Sequence, residues 1–597
     1  MPGGGSRHIW DPPSRAPDRW HFGRLGEGGV TGARLPVRVA GGPNGGVSGR
    51  RRSAEIRVPE SNAIRRYHAR PRTPASIRRM LPSTGIPRRN TEALQPASIL
   101  YSDSATPTGL ARAAGRGRVK IGWFSDSRIH PTMPSTPQTI LVFTYPEAGQ
   151  ATTILSLVSE LLSRPDPLTI HVASFAELAP RVARLQPQVQ PGSALHFREI
   201  IGVSEMDAIW RSGLPPDGNQ HPPLTRSSYA FELIPLLLCP WTDAEFEETT
   251  ESCKSALRDM KPDVIVMDMV FHQAIDACTA LGAKYIVNTC MPPLGTALAA
   301  QPHARAFWYY PSGGSGIPFP VPWAQIPTNI WLTLRWAYTF LTDARAKKAS
   351  GFRFRADVPY LCQGLRELEY PLAVPPNMTL TGPLLAPPPP LDAAGELGAW
   401  LGRGETVLFM MGTHYAFTEE LARTALAGIL AGVRGRAVQV LWKLPAHERF
   451  AGVIAETLRK FDCPPERVRA ASWLDAEITS ILSHENLTCF IHHGGANSYF
   501  ESAYCGVPQI ILPQWFDLYD NATRVAYLGI GACGSARTAP GLSASELAEA
   551  VARVTTTPSF RERAEALGRV CRAKGGRARA AEFVLARGAA RFSAMAG

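Results

Sequence analysis

The sequence predicts an α/β protein of two doubly wound parallel sheets, and three observations carry that expectation. "QTILVFTY" (138–145), a turn containing Gly149, a helical run and "LTIHVASF" (168–175) make strand, turn, helix, strand within 38 residues, a βαβ unit. The same alternation of short apolar runs and helical spacing recurs to the end of the chain. Between the two series stands "APPPPLDAAGE" (386–396), whose four consecutive prolines make a semi-rigid spacer.

Each element follows from its pattern. "QTILVFTY" is β-branched, apolar and closed by Pro146. In "ATTILSLVSELLSR" (151–164) apolar residues fall at 154, 155, 157, 158, 161 and 162, which is one face of a helix. "KPDVIVMDMVF" (261–271), the helix "HQAIDACTALG" and "AKYIVNTC" (283–290) repeat the unit. Residues 300–360, with "FWYYPSGGSGIPFPVPWAQIPTNIWLTLRWAYTFL", break the pattern and are dense in aromatics and proline. Such an insertion can line a pocket for an apolar ligand, touch a membrane surface, or pack on the sheet. "NMTLTG" (377–382) closes the first series. The second contains "ETVLFMMGT", the helix "TEELARTALAGILAGV", "AVQVLWKL", "LTCFIHH", the helix "SYFESAYCG" and "PQIILPQW", then a helical tail. The expected domains are 136–382 and 397–597, joined by a linker at 383–396.

The totals bound the function. The 597 residues carry a net charge of +13, but residues 1–120 hold 22 Lys+Arg against 7 Asp+Glu, a net of +15. The remainder therefore sums to −2, so the basic balance belongs to the leader and gives no case for nucleic-acid binding. Residues 1–135, rich in Gly, Pro, Ser and Arg, cannot bury enough apolar surface to offset ordering entropy, and are expected to be a disordered leader or an organelle transit peptide. Ten widely spaced cysteines with no C-x-x-C pair read as buried thiols rather than a metal site. No apolar run is long enough to span a bilayer and no secretory signal is evident, so a cytoplasmic protein, with peripheral membrane contact left open, is expected.

The chemistry concentrates in "HHGGANSYFESAYCGVPQIILPQWFD" (492–517). A buried strand runs into His493-Gly494-Gly495-Ala496, and a helix is expected from Asn497 or Ser498, capped by that pair and stopped at Gly506. Such a strand-to-helix turn presents unpaired backbone N–H groups and the positive end of a helix dipole, which suits a diphosphate. Gly494 and Gly495 permit close approach, and His493 can add a donor. Glu501, one turn after Asn497, sits on the same face and can accept from two vicinal ribose hydroxyls. His492 and His484 read as structural.

These residues resemble the signature of the UDP-glycosyltransferases, whose fold is called GT-B: Trp473 and His484, then F-I-H-H-G-G-A-N-S-x-x-E-x-x-x-x-G-V-P, then P-Q-W-F-D (513–517). The resemblance spans residues ~138 to ~590. It implies two Rossmann-like domains facing across a cleft, with Trp473 stacking on uracil, His493, Asn497 and Ser498 holding the diphosphate, Glu501 on the ribose and Asp517 on sugar hydroxyls. "FMMGTHYA" resembles the family's Gly-Ser/Thr turn and would place Gly412 and Thr413 near the phosphates. The C-terminal helices resemble a closing segment that packs back across the cleft. The implied activity is inverting, metal-independent transfer of a hexose, by default glucose, from a UDP-sugar co-substrate to a hydroxyl of an apolar small molecule. No resident cofactor or metal is expected.

The chain departs from the family pattern in three places. The usual base is a His after the glycine of the first strand–helix turn, oriented by an Asp from a later strand. Here Gln150 holds the His position and cannot accept a proton at neutral pH, whereas Asp268 matches the orienting Asp. Either Asp268 or Glu147 acts as base with Gln150 positioning the acceptor, or the acceptor is an acidic hydroxyl, or the protein binds a nucleotide sugar without transferring it. Leu518 stands where the family carries a sugar-contacting Gln, and the Trp473–His484 interval is two residues longer than usual. A GT-B epimerase or phosphorylase is the rival enzyme class.

Overall fold

The computed structural model describes residues 137–215, 218–412 and 415–595, with side chains through residue 588. The leader and Thr413 lie outside the described residues. The first sheet contains β1 (Gln138–Phe143), β2 (Leu168–Ser174), β3 (Ala194–Glu199), β4 (Val264–Asp268), β5 (Ile286–Thr289), β6 (Tyr360–Cys362) and β7 (Met378–Leu380). They lie in the order β3-β2-β1-β4-β5-β6-β7, all neighbours parallel. The second sheet contains β8 (Thr406–Met410), β9 (Gln439–Lys443), β10 (Val468–Ala471), β11 (Leu487–His492), β12 (Gln509–Ile511) and β13 (Gly531–Cys533), in the order β10-β9-β8-β11-β12-β13, again all parallel.

Apolar runs without polar alternation bury both faces of each sheet, as parallel sheets require. In β1, Ile140 and Val142 join the core under the helix Ala148–Leu162, while Leu141 and Phe143 join the core on the opposite face. In β8, Val407 and Phe409 face one core and Leu408 and Met410 the other. The chain reverses its direction of travel across the sheet between β1 and β4, and again between β8 and β11. Those are the topological switch points, where crevices open beyond the strand ends. Glu147 and Asp268 stand at the first, and Gly412 and His493 at the second.

Sequence distance and packing part company at the C-terminus. The helix Gly576–Met595 seats Ala580, Ala581 and Val584 in the core of the first sheet, beside Ile154, Leu157 and Leu161. Arg577 fixes it there by an ion pair to Glu160 (3.0 Å). The aromatic insertion divides by side. Tyr310, Phe319 and Tyr370 are buried and stack on one another, with Tyr527 of the second half edge-on. The helix Ile326–Thr342 buries Leu332 but leaves its other face in solvent. All ten cysteines are free, six of them buried. Among the described residues no helix is long and apolar enough to cross a membrane.

Candidate functional site

The glycine turn is built as its composition requires, with one correction. The helix after it begins at Ala496 with Gly495 as N-cap, not at Asn497 or Ser498, and no side chain caps it. Its first intrahelical bond runs from Tyr499 N–H to Gly495 O (3.0 Å), so the amides of Ala496, Asn497 and Ser498 belong to the open first turn. Asn497 and Ser498 sit inside the first turn, so their backbone N–H groups, like that of Ala496, have no intrahelical acceptor.

Gly494 adopts φ +101°, and a Cβ there would meet Ile511 Cγ2 at 2.6 Å, so only glycine fits. His492 holds the turn from beneath. It is wholly buried, accepts the Gly494 N–H at Nδ1 (3.1 Å), and so donates from Nε2 to Gln509 Oε1 (3.0 Å). Burial pulls its pKa down to about 3, with the His493 charge adding to the fall. The structural role expected for His492 is thus a specific one. The His493 ring lies between two glycines: a Cβ on Gly412 (φ +80°) would come 2.7 Å from Cε1, and one on Gly495 2.5 Å from Nε2. The ends of β8 and β11 therefore bring Gly412, His493 and Gly495 together.

The turn opens on the other domain. Asn497 Nδ2 donates to the carbonyls of Ala148 (3.0 Å) and Gly149 (3.4 Å), at the start of the helix Ala148–Leu162. Two helix N-termini thus meet across the crevice, and the Asn497 side chain ties them rather than pointing freely at a ligand. Gln150 lies one residue beyond that tie.

Trp473 and Glu501 are linked through a residue not singled out in the sequence. The Lys443 ammonium, at the end of β9, lies 3.9 Å from the Trp473 ring centroid. Its charge also draws down the Glu501 carboxyl, which burial, the larger effect, pushes up to about 7. Burial lowers the Lys443 pKa, and Glu501 opposes the fall. Trp473 remains 38% exposed.

On the first-domain side, Asp268 is buried and accepts from Thr144 Oγ1 (3.0 Å) and Val270 N–H (3.2 Å). Burial raises it to about 6 against those hydrogen bonds. Its hydroxyl partner comes from the end of β1, the neighbouring strand, and not from Gln150. Glu147, the N-cap of the first helix, is raised to about 7, chiefly by burial, with Asp268 contributing. A third carboxyl is Glu205 from the helix Glu205–Arg211; burial, then Glu147 and Asp268, hold it well above the usual range. Glu205 carried no sequence signal because its neighbours in space are 58 and 63 residues away in the chain.

Asp517 opens the helix Phe516–Leu528 and is raised to about 6 by burial. The Cys290 thiol, at the end of β5, feels the charges of both Asp268 and Asp517, after the larger effect of its own burial. Around Asp517 the domains are joined by first-domain groups. The Phe516 N–H donates to His221 Nε2 (3.0 Å), and the Gly314 N–H donates to Asp520 Oδ1 (2.9 Å). Among the described residues no cluster of three or more His, Cys, Asp or Glu suits a metal ion.

The comparisons with known proteins point the same way. The family described as erythromycin biosynthesis protein CIII-like, C-terminal domain, matches residues 448–575, which contain the whole glycine turn. The glycosyltransferase sdnJ of Sordaria araneosa is 31% identical, over 76% of this chain and 98% of its own. The human 2-hydroxyacylsphingosine 1-beta-galactosyltransferase is 32% identical over 34% of each chain. In fold, a UDP-glucosyltransferase from Polygonum tinctorium matches 76% of this chain and 99% of its own at a TM-score of 0.52 and 18% identity. Medicago truncatula UGT71G1, solved with UDP-glucose, covers 76% and 98% at 0.52 and 17%. With a relative of that identity matched along nearly its whole length, and with the glycine turn at the switch point of a second parallel sheet, this chain belongs to the UDP-glycosyltransferase family and is a glycosyltransferase of GT-B fold.

Proposed function

We propose that the protein transfers a hexose, by default glucose, from a UDP-sugar to a hydroxyl of an apolar small molecule, with inversion. One observation carries the reading: the open helix N-terminus at 496–498 faces, through Asn497, the turn of the first domain that holds Glu147 and lies beside Asp268. Donor and acceptor machinery thus meet at one crevice.

In this reading the diphosphate lies on the amides of Ala496, Asn497 and Ser498, with His493 and Gly412 beside it. Charge builds on the leaving diphosphate as the glycosidic bond breaks, and fixed backbone dipoles stabilise it without reorganising. Glu501 as carboxylate accepts the ribose hydroxyls, Trp473 supplies an aromatic face for uracil, and Asp517 accepts from sugar hydroxyls. Glu147 takes the acceptor proton, since a carboxyl poised near neutrality is matched to that task. Asp268, held by Thr144, keeps a neighbouring charge that raises Glu147, and Gln150 positions the acceptor. Relatives' names support donor and acceptor classes: one is a galactosyltransferase of an acylated sphingosine, and others are UDP-glucuronosyltransferases.

The deciding experiment is calorimetric titration of UDP, UDP-glucose and UDP-GlcNAc into wild type and Glu501→Ala, followed by transfer assays on a phenol panel. Saturable uridine binding that weakens in the variant supports the reading; no binding by wild type ends it. Binding without any turnover would instead favour a nucleotide-sugar-binding protein, the reading that Gln150 keeps open.

A further inference from the structure

The helix Ile326–Thr342 buries one face and leaves an unusual one outside. Leu332 and Asn329 are wholly buried. The Ser312 N–H donates to Asn329 Oδ1 (2.7 Å) and Trp336 Nε1 donates to Gly313 O (3.2 Å), so the helix is anchored and its orientation set. On the other side Ile330, Trp331, Leu334, Tyr338 and Leu341 are exposed, Leu341 by 72%. At 3.6 residues per turn these five fall within an arc of about 100°. Trp323, in the turn just before the helix, is 87% exposed. These six are nearly half of the thirteen large apolar side chains exposed among the described residues, so the exposure is concentrated and not scattered.

The charge within this segment is one-sided, although Lys348 is paired with the exposed Asp243 carboxylate from outside it. Residues 323–348 carry Arg335, Arg345, Lys347 and Lys348 against Asp343 alone. The Asp343 carboxylate is turned inward, accepting from the amides of Arg345 and Ala346 (2.9 Å each), while Arg345 and Lys347 are exposed. Arg335 lies over the Tyr338 ring, 5.3 Å from its centroid. Tryptophan and tyrosine flanked by cations match the boundary between lipid headgroups and acyl chains, where the ring bodies bury and the charges meet phosphate. A protein partner would have to meet this rim with acids of its own, whereas exposed Trp and Tyr rings beside cations are what a lipid boundary favours. The helix is 17 residues long and does not meet the requirement for crossing a bilayer, so it would lie along the surface.

We propose that the 323–348 segment docks the protein on an anionic lipid surface, with the Ile330–Leu341 face in the interface and Arg335, Arg345 and Lys347 on headgroup phosphates. The assignment is independent of the transfer reaction. The full chain is floated with phosphatidylcholine vesicles, with and without about a third phosphatidylserine, at low salt and at about 0.5 M salt, where charge attraction is screened. The comparison is wild type against Trp331→Ser/Leu334→Ser/Leu341→Ser, with Ile201→Ser/Trp210→Ser as an apolar-surface control. The expected result is salt-resistant flotation of wild type on the anionic vesicles and at least a tenfold loss of partitioning in the triple variant alone. Flotation stripped by salt and shared equally by the triple variant would assign binding to the Arg-rich leader and overturn the proposal. So would absence of binding, or a dimer seen by light scattering that the triple variant disperses, which would make the face a contact between copies. If circular dichroism shows the triple variant misfolded, Arg345→Glu/Lys347→Glu replaces it. That pair is expected to abolish the preference for phosphatidylserine, and an unchanged preference overturns the proposal.

Discussion

Arg524 Nε donates to Glu369 Oε1 at 2.8 Å, and neither side chain meets solvent. The pair joins the two domains beside the glycine turn. Glu369 also accepts from the amides of Leu294 and Tyr370 in the first domain, and Arg524 Nη1 donates to Asn521 Oδ1. Asn521 Nδ2 then donates to the carbonyl of Gly494 (2.8 Å), the residue that shapes the glycine turn. A polar chain of three side chains therefore runs from the first domain to the glycine turn of the second.

Breaking that chain by removing one charge leaves the other buried without compensation. Glu369→Gln or Arg524→Met is expected to cost about 3–5 kcal/mol in denaturant unfolding. The double variant Glu369→Gln/Arg524→Met should recover part of the loss, because it removes both buried charges while the glutamine oxygen still accepts from the amide of Leu294 or Tyr370. If the single variants unfold like wild type, the pair has no structural role.

Substituting Gly494 tests the cradle directly. Alanine there is strained by the positive φ, at about 1–2 kcal/mol, and also collides with Ile511. Displacement of the amides at 496–498 is expected to weaken UDP binding at least tenfold in a calorimetric titration. Unchanged affinity would place the diphosphate elsewhere.

Trp473→Ala removes the proposed stacking face. Stacking of a base on an aromatic ring is worth about 1–3 kcal/mol, so UDP affinity should fall by about 5- to 150-fold. The affinity of inorganic diphosphate should be unaffected. An equal loss for both ligands would make Trp473 a packing residue.

The proposed base makes a pH prediction. Glu147 is raised to about 7 in the folded protein. A base works only when deprotonated, so the transfer rate should climb as pH rises through about 7 and level off above it. In Glu147→Gln that limb should vanish with most of the rate, whereas Asp268→Asn should shift it downward in pH by removing a neighbouring negative charge. A limb retained in Glu147→Gln assigns the proton to another group.

His492 gives a stability prediction of opposite origin. Its folded pKa is pushed down to about 3, whereas the unfolded chain takes up that proton near 6.5. Below about 6.5 the unfolded state therefore binds more protons, and stability rises with pH across that window. The contribution is fully present above pH 6.5 and is lost as pH falls toward 3. In His492→Gln the acid-side slope of unfolding free energy against pH should be shallower; an identical slope would show that His492 is protonated in the native state.

Much of this was legible in the sequence, and the limit has a physical cause. Central strands such as Ile140–Phe143 and Leu487–His492 are apolar on both faces, so hydrophobic runs betray them. β3 (ALHFRE), β6 (YLC), β10 (VRAA) and β13 (GAC) carry no legible pattern, because they are short, polar or edge strands specified by neighbours and not by their own composition. The glycine turn could be read locally, since backbone donors at a helix start depend on a few adjacent residues. Glu205, Lys443, His221 and the Glu369–Arg524 pair could not, because each acts on a group tens to hundreds of residues away.

The sequence by itself determined the two parallel sheets, the glycine turn between strand and helix, and the family, because strand–turn–helix units are written in contiguous residues. Only the tertiary structure decided what faces that turn: Asn497 reaching the first helix, three carboxyls gathered from β4 and two helix starts, and an apolar helix face left in solvent. Those are products of chain reversal at two switch points, and contact across a crevice has no periodicity along a chain.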